Sequence, residues 1–489
     1  MKEDLSSLEE KIRLGRGGEV RQALTRIGRK RVKIPAADLA KVAQLCWRVG
    51  LADTGLKILH PVMRPKARQP QSADPWQVAE YAACLIRVGA TEEASQIIFE
   101  VDPKRVPQAW LYRAFVKIGQ WDYDEGIKLL RSYLKTDLTP YQKLVAQVNL
   151  AAALIYERKH EEAKYLLREL THQTSLRRWN LLLANALELS AANFVYEHKP
   201  RQAEPFLEKG EKLLLSHGSL DALFIEKWRG IIRFQRQKDL RSAQSHLEKV
   251  RLAAREVGHW ETLRDCDRFE VLRTRSQDLF HKIYFGTPYP SYRKHLLHEL
   301  DWKEELPEAF DWTLGESGRF GKPLDFLFGA TGLKPGQALF RLALELASDF
   351  YHPHRVGPLF HRLFPGQFYH PETSRHRVHE VVRRLRHWFG EQKFPLTIQE
   401  KNGQYWYDSK KTCSVKVPRD PGQVARWRLV VENLRGHFTS GEFGVQEASQ
   451  YLQISSMSLL RFLKEALHHN AVERLGKGKA TRYRFTPKI

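Results

Sequence analysis

The sequence predicts a mainly α protein: a solenoid of helical hairpins over residues 1–285, a junction at 286–310, and two small α+β units at 311–408 and 422–489. Three observations lead there. A turn followed by a small residue recurs through the first half, and the second half twice runs through amphipathic helical stretches into a pair of short alternating β runs. The chain, at 489 residues, is also too long for one core, while 42% hydrophobic and 28% charged residues make it ordinary globular material.

In the first half the recurring segments are RVGLADTG (48 to 55), RVGATEEA (87 to 94), ERKHEEA (157 to 163), EHKPRQA (197 to 203) and QKDLRSA (237 to 243), with a looser copy, IGQWDYDEG, ending at Gly126. Their small residues Gly55, Ala94, Gly126, Ala163, Ala203 and Ala243 stand 39, 32, 37, 40 and 40 residues apart, the length of one helix-turn-helix repeat. A small side chain is needed where the two helices of a hairpin cross closely. The pattern resembles the tetratricopeptide repeat in its turn and small residue, and Pro103 and Pro140 fall where a repeat would end. The signature of that family's first helix is incomplete in every copy, so the expected array is degenerate. Residues 260 to 280 read as a last pair closed by Leu279 and Phe280 rather than by alanine, as for a capping repeat. Such arrays build long concave surfaces, so a peptide or protein ligand is expected, with a spacer or dimerisation role as the plainer reading.

Residues 282 to 310 break the helical pattern with Gly286, Pro288 and Pro290 among aromatics, which reads as a connector that docks. Beyond it, FDWTLGESGRF and KPLDFLFGA turn like short strands, and QALFRLALELASDF and Val356 to Phe364 are helical. A third helix spans Thr373 to Phe389. Its Val378, Val381, Val382, Leu385, Trp388 and Phe389 make one apolar stripe; His376, Glu380, Arg383 and His387 lie opposite, flanked by Arg377, Arg384 and Arg386. LTIQEKNGQYWY, split by Asn402-Gly403, then reads as a β-hairpin.

This order, with RVHEVVRRLRHWF and the glycine and tyrosines of IQEKNGQYWY, resembles the OmpR/PhoB-type winged-helix effector domain of bacterial transcription factors. The resemblance implies that Arg383 and Arg384 reach bases or backbone from the major groove and that Arg386 contacts a phosphate. The full expected DNA surface is Arg375, His376, Arg377, His379, Glu380, Arg383, Arg384, Arg386, His387, Lys401 and Asn402. Val381 stands where the family often has a polar contact residue, and Gln404 where it has a second wing glycine. No receiver domain with a phosphoacceptor aspartate is present; the helical array takes the sensor's place.

After a basic stretch, SKKTCSVKVPRDPGQ, expected as a linker (409–421), VARWRLVVENLRGHF and VQEASQYLQ are helical, and Ser455 or Ser456 caps a third helix with Leu460, Leu463 and Leu467 as its stripe. AVERL, the GKGK turn and ATRYRF make a hairpin with Val472, Leu475, Tyr483 and Phe485 inward and Arg482 and Arg484 outward. This resembles the wider winged helix-turn-helix superfamily. That resemblance implies base or phosphate contacts from Ser456, Ser458, Arg461 and Lys464, and phosphate contacts from Lys477, Lys479 and Arg482. A winged helix used for protein contact is the other reading.

A formal charge of +23 favours a polyanionic partner, nucleic acid before an anionic membrane surface. No apolar run reaches the length of a membrane span, and MKEDLSSLEEKIRLGRGGEV has no signal-peptide core, which predicts a cytoplasmic chain. Cys46, Cys84, Cys266 and Cys413 form no CxxC, and His352, His354, His361 and His370 match no zinc spacing, so no metal is expected. There is no GxxxxGKS/T, HExxH or GxSxG; GATGLKPGQ (329 to 337) lacks the P-loop lysine and hydroxyl in position. Neither an enzyme nor a cofactor is expected. The reading is a sequence-specific duplex-DNA-binding transcriptional regulator, for which RNA polymerase and a second copy of the chain are further partners. The alternative is a non-enzymatic adaptor whose array and winged helices bind proteins, its charge serving RNA or a membrane surface.

Overall fold

The computed structural model describes residues 5–29, 34–65, 73–215, 222–315, 324–325, 333, 337–419, 426–438, 441–452, 454–476, 478 and 481–486. Its first sixteen helices pair consecutively as hairpins. They are α1 (Leu5–Arg13) with α2 (Gly17–Arg29), α3 (Leu39–Arg48) with α4 (Ala52–Met63), α5 (Pro75–Val88) with α6 (Thr91–Glu100), and α7 (Gln108–Gly119) with α8 (Tyr123–Leu134). Next come α9 (Pro140–Tyr156) with α10 (His160–Leu176), α11 (Asn180–Tyr196) with α12 (Pro200–Leu215), α13 (Ala222–Arg236) with α14 (Leu240–Val257), and α15 (Trp260–Thr274) with α16 (Gln277–Phe285).

The small residues do what their recurrence predicts. Each is the fourth residue of a second helix, from Gly55 in α4 to Ala243 in α14, and each is buried. A Cβ on Gly55 would lie 2.6 Å from the Cys84 sulfur, so a larger side chain would force α4 from α5. In α16 the fourth residue is Phe280, stacked on Trp302 with ring centroids 3.7 Å apart. The last hairpin therefore packs on the junction rather than on another repeat. Hairpin α1–α2 carries no such small residue and instead packs Leu8, Val20 and Leu24 on Val42, Leu45 and Cys46. Capping boxes at Asp74–Gln77 and Thr139–Gln142, each with proline at the first helical position, fix where α5 and α9 begin. The N-terminal part is thus a tetratricopeptide-like helical array, and the protein is mainly helical.

The junction is not a bare connector: Pro290 opens helix α17 (Pro290–Leu300), and Tyr292, Leu296 and Leu300 are buried with Phe280, Ile283 and Phe285. The next unit contains β1 (Ala309–Leu314), β2 (Leu324–Asp325), α18 (Ala338–Leu346), β3 (His354–Arg355), α19 (Val356–Leu363), α20 (Thr373–Glu391), β4 (Leu396–Lys401), β5 (Gln404–Ser409) and β6 (Cys413–Pro418). Strand β6 corrects the expectation of a linker from 409. Its Cys413, Val415 and Val417 alternate inward, and it lies between β1 and β2 in one sheet. The other sheet has the order β3–β5–β4.

The last unit contains α21 (Arg426–His437), β7 (Glu442–Gly444), α22 (Val445–Leu452), α23 (Ser456–His468), β8 (Val472–Leu475) and β9 (Arg482–Phe485). Its sheet order is β7–β9–β8. The succession helix, strand, helix, helix, hairpin therefore occurs twice, and both times the first strand pairs with the last. Ser455 caps α23 by accepting from the Ser458 amide. The stripe of α23 is shifted from the expected one: Leu459, Leu463 and Ala466 are buried, while Leu460 is exposed.

The first α+β unit and the start of the array share one hydrophobic core, in which Leu56, Leu59, Tyr81 and Leu85 join Leu342, Phe360, Val382 and Leu385. Contact is close enough to demand glycine on both sides. A Cβ on Gly357 would lie 2.5 Å from the Val88 carbonyl, and one on Gly89, already at φ +85°, would lie 2.9 Å from the Pro358 ring. The far end of the array grips the same unit. The Arg264 guanidinium donates to both oxygens of Asp349 at 2.8 Å, and the Tyr351 hydroxyl donates to Asp267 at 2.7 Å. Among the described residues, the core of the last unit draws on those between Trp427 and Phe485.

Candidate ligand cavity and nucleic-acid interface

Helix α20 starts where His370 can satisfy its loose amides. The His370 ring accepts from the Glu372 and Thr373 amides at 3.1 and 3.2 Å, and the Ser374 hydroxyl accepts from the His370 amide at 2.8 Å. The array holds this end. The Tyr369 amide donates to Glu93 of α6 at 2.6 Å, Lys57 of α4 pairs with Glu372 at 3.4 Å, and the His60 and His370 rings meet edge-on at 4.5 Å. Burial pushes the Glu93 carboxyl above the usual range.

Behind the helix, Asn402 and Gly403 both take positive φ, +55° and +74°, the two-residue turn that suits a twisted hairpin. A Cβ on Gly403 would lie 2.7 Å from the Arg375 guanidinium, so the hairpin tip rests on the first turn of α20.

Several of the residues expected to meet DNA make contacts within the protein. Arg377 stacks its guanidinium 3.9 Å from the Phe364 ring centroid and 5.2 Å from that of Phe360, which places it against the core. Arg386 donates two hydrogen bonds, at 2.9 and 2.6 Å, to the Ile398 carbonyl and so clamps β4. His379 sits edge-on to the buried Tyr405. Arg375 and Asn402 are exposed and also border the open cavity described below. His376, Glu380, Arg383, Arg384, His387 and Lys401 are exposed, with Arg383 paired to Glu380 at 2.7 Å and His387 3.7 Å from Glu391. Val381 is buried, so its place in the stripe, rather than any base contact, explains why it is apolar.

In the last unit, Arg461 and Lys464 are exposed along α23. The Ser456 hydroxyl lies 3.3 Å from that of Ser449, and Ser458 serves the helix cap. Arg482, exposed, is paired with Glu447 at 3.1 Å. Lys477 and Lys479 lie outside the described residues.

A cavity of about 960 Å³ opens on the inner face of the array. It is lined mainly by the first helices of five successive hairpins, with Trp47 and Arg48 of α3, Arg87 of α5, Gln108 and Phe115 of α7 and Asn149 of α9 among them. The first α+β unit closes it with Arg355, Arg375, Asn402 and Gln404. Glu80 organises one wall: its buried carboxylate accepts from the Gln44 amide, the Trp47 indole and the Tyr112 hydroxyl at 2.9, 2.8 and 2.8 Å. Further along, the inner face is taken up by the chain's own α17, whose Tyr292 meets Trp121 at 4.7 Å and whose Glu299 accepts from Arg158 at 2.8 Å.

No protein-family profile matches the chain, and no curated protein matches its sequence. Among solved structures it is similar to a Rap protein complexed with Competence and Sporulation Factor, at 11% identity and a TM-score of 0.42, over 78% of this chain and 98% of that one. It is also similar to the C-terminal part of a TPR repeat-containing protein from Cytophaga hutchinsonii, at 11% identity and a TM-score of 0.30, over 50% of this chain and 94% of that one. Among the described residues no helix is long and apolar enough to cross a membrane.

Arg375 and Asn402 were singled out in the sequence for DNA rather than for a cavity, and no residue was marked there as cavity lining. A signal for the lining exists only once the hairpins are paired: Trp47 and Arg87 each lie within a few residues of a repeat turn, on the first helix of their hairpin. Arg355 comes from the other end of the chain, and no local pattern marks it.

Proposed function

We propose that the chain is a duplex-DNA-binding regulator with tandem winged helices, whose helical array takes a peptide or protein ligand. The observation that carries the DNA half is the twofold recurrence of one element and strand order, each time with an exposed basic helix directly before the hairpin. The formal charge of +23 supports it. The ligand half rests on the cavity, an open concave wall of aromatic, amide and arginine side chains. The hairpin tip that borders this cavity also rests on α20, so a ligand there would touch the reading helix through Arg375.

Retention of the full-length protein on duplex DNA, measured across a salt series, tests this. Arg383→Ala with Arg384→Ala, and separately Arg461→Ala with Lys464→Ala, should each lower the slope of log affinity against log salt by about 2. Unchanged slopes in both would sink the proposal.

A second reading is favoured by one observation. Met457 and Leu460 are exposed on α23 at 78% and 40%, and Tyr451 is exposed on α22 at 40%, an apolar presence that suits a protein surface. Under that reading the last unit binds protein, and the Arg461 and Lys464 changes leave the salt slope as it was.

A further inference from the structure

Arg87 and Arg355 meet in the cavity wall, one from each half of the chain. The Arg355 guanidinium donates to the Arg87 carbonyl at 2.9 Å, and the Arg87 guanidinium lies between Trp47 and Phe115, 4.9 and 5.5 Å from their ring centroids. Both side chains are open to the cavity yet surrounded by protein, and that burial lowers both pKa values, with their mutual repulsion lowering that of Arg87 further. Among the described residues no carboxylate pairs with either, and the Arg87 guanidinium donates to none of them. The acids nearby are engaged elsewhere: Glu9 pairs with Arg13, Lys41 and Arg48, and Asp53 lies in the field of Arg375 and Lys57. Two like charges on one cavity wall without a counterion repel each other, and a bound anion removes that repulsion.

We propose that Arg87 and Arg355 form an anion subsite that takes a carboxylate of an extended peptide. Two guanidinium forks suit a planar carboxylate. Arg355 ends β3, in register with Gln404 beside the hairpin tip, so the subsite joins the array to the first winged unit and an occupied subsite ties the two more tightly. This rests on the reading of the array as a peptide groove.

The test uses two hexapeptide pools on immobilised full-length protein, one with free carboxyl groups and one with every carboxyl amidated. The free-acid pool should be retained about tenfold more strongly. Arg87→Gln or Arg355→Gln should erase that difference, and the lysine variants should keep part of it, with circular dichroism confirming helix content. Equal retention of both pools would overturn the subsite and leave the groove standing. Retention of neither would overturn the groove and the subsite with it. Displacement of the free-acid pool by inorganic phosphate at lower concentration than by acetate would overturn the choice of a carboxylate.

Discussion

Asp349→Ala should destabilise the protein by about 3 to 5 kcal/mol, because it strands a buried guanidinium. Arg264 and Asp349 are almost fully shielded, with side-chain exposures of 1% and 5%. Asp349 also accepts from the Tyr351 and His352 amides at 2.9 and 3.0 Å, so its loss leaves two further donors open. Glu261 accepts from Arg264 at 2.7 and 2.9 Å and retains part of the charge balance. Replacing both partners, Arg264→Met with Asp349→Leu, should recover only part of the loss, since an apolar pair has no desolvation to offset but the Tyr351 and His352 amides stay open. Urea unfolding with an unchanged slope checks the stability change. A loss under about 1 kcal/mol would mean that the array's far end does not hold the first α+β unit through this pair.

Glu80→Ala is the second large effect, at roughly 3 to 5 kcal/mol, since the Gln44, Trp47 and Tyr112 donors lose their shared acceptor inside the protein. Peptide retention should fall with it, because those three side chains shape the cavity wall. Glu80→Gln keeps the volume and one acceptor oxygen, so it should lose less. Burial raises the Glu80 carboxyl above its ordinary value of 4.5. The folded state then holds the proton more tightly than the unfolded one, so this contribution to stability is full below about pH 4.5 and is lost as pH rises through the folded value. Wild-type stability should therefore decline more steeply than that of Glu80→Gln over that window. Parallel declines would mean that Glu80 does not titrate there.

Local chemistry made much of the fold legible. Asn402-Gly403 specified its turn because both residues accept positive φ at little cost, and buried small residues marked the crossings of the six hairpins from α3–α4 to α13–α14. The span of α20 came from its apolar stripe, in which Val378, Val382, Leu385 and Phe389 are all buried. Strand β6 was obscured because its alternating Cys413, Val415 and Val417 sit among lysines and a proline that read as a linker.

The site was less legible, because which way an arginine turns depends on distant partners. Arg377 looks like the exposed Arg383 and Arg384 in sequence but turns onto the Phe364 ring, and Arg386, though exposed, is tied to the Ile398 carbonyl. The anion subsite lay further out of reach, since Arg87 and Arg355 are 268 residues apart and meet only after the array closes on the first α+β unit.

If α20 and α23 read duplex DNA, rather than the chain adhering through its overall charge, losing charge on these helices differs from losing it elsewhere. The direct measurement compares two full-length variants that each lose four positive charges, on the genomic fragment that binds the wild type most tightly. One carries alanine at Arg383, Arg384, Arg461 and Lys464; the other carries it at Arg168, Arg201, Arg241 and Lys249, exposed on the array. The account predicts that the first loses about a hundredfold or more in affinity while the second stays within a few-fold. Equal losses in the two variants would contradict it.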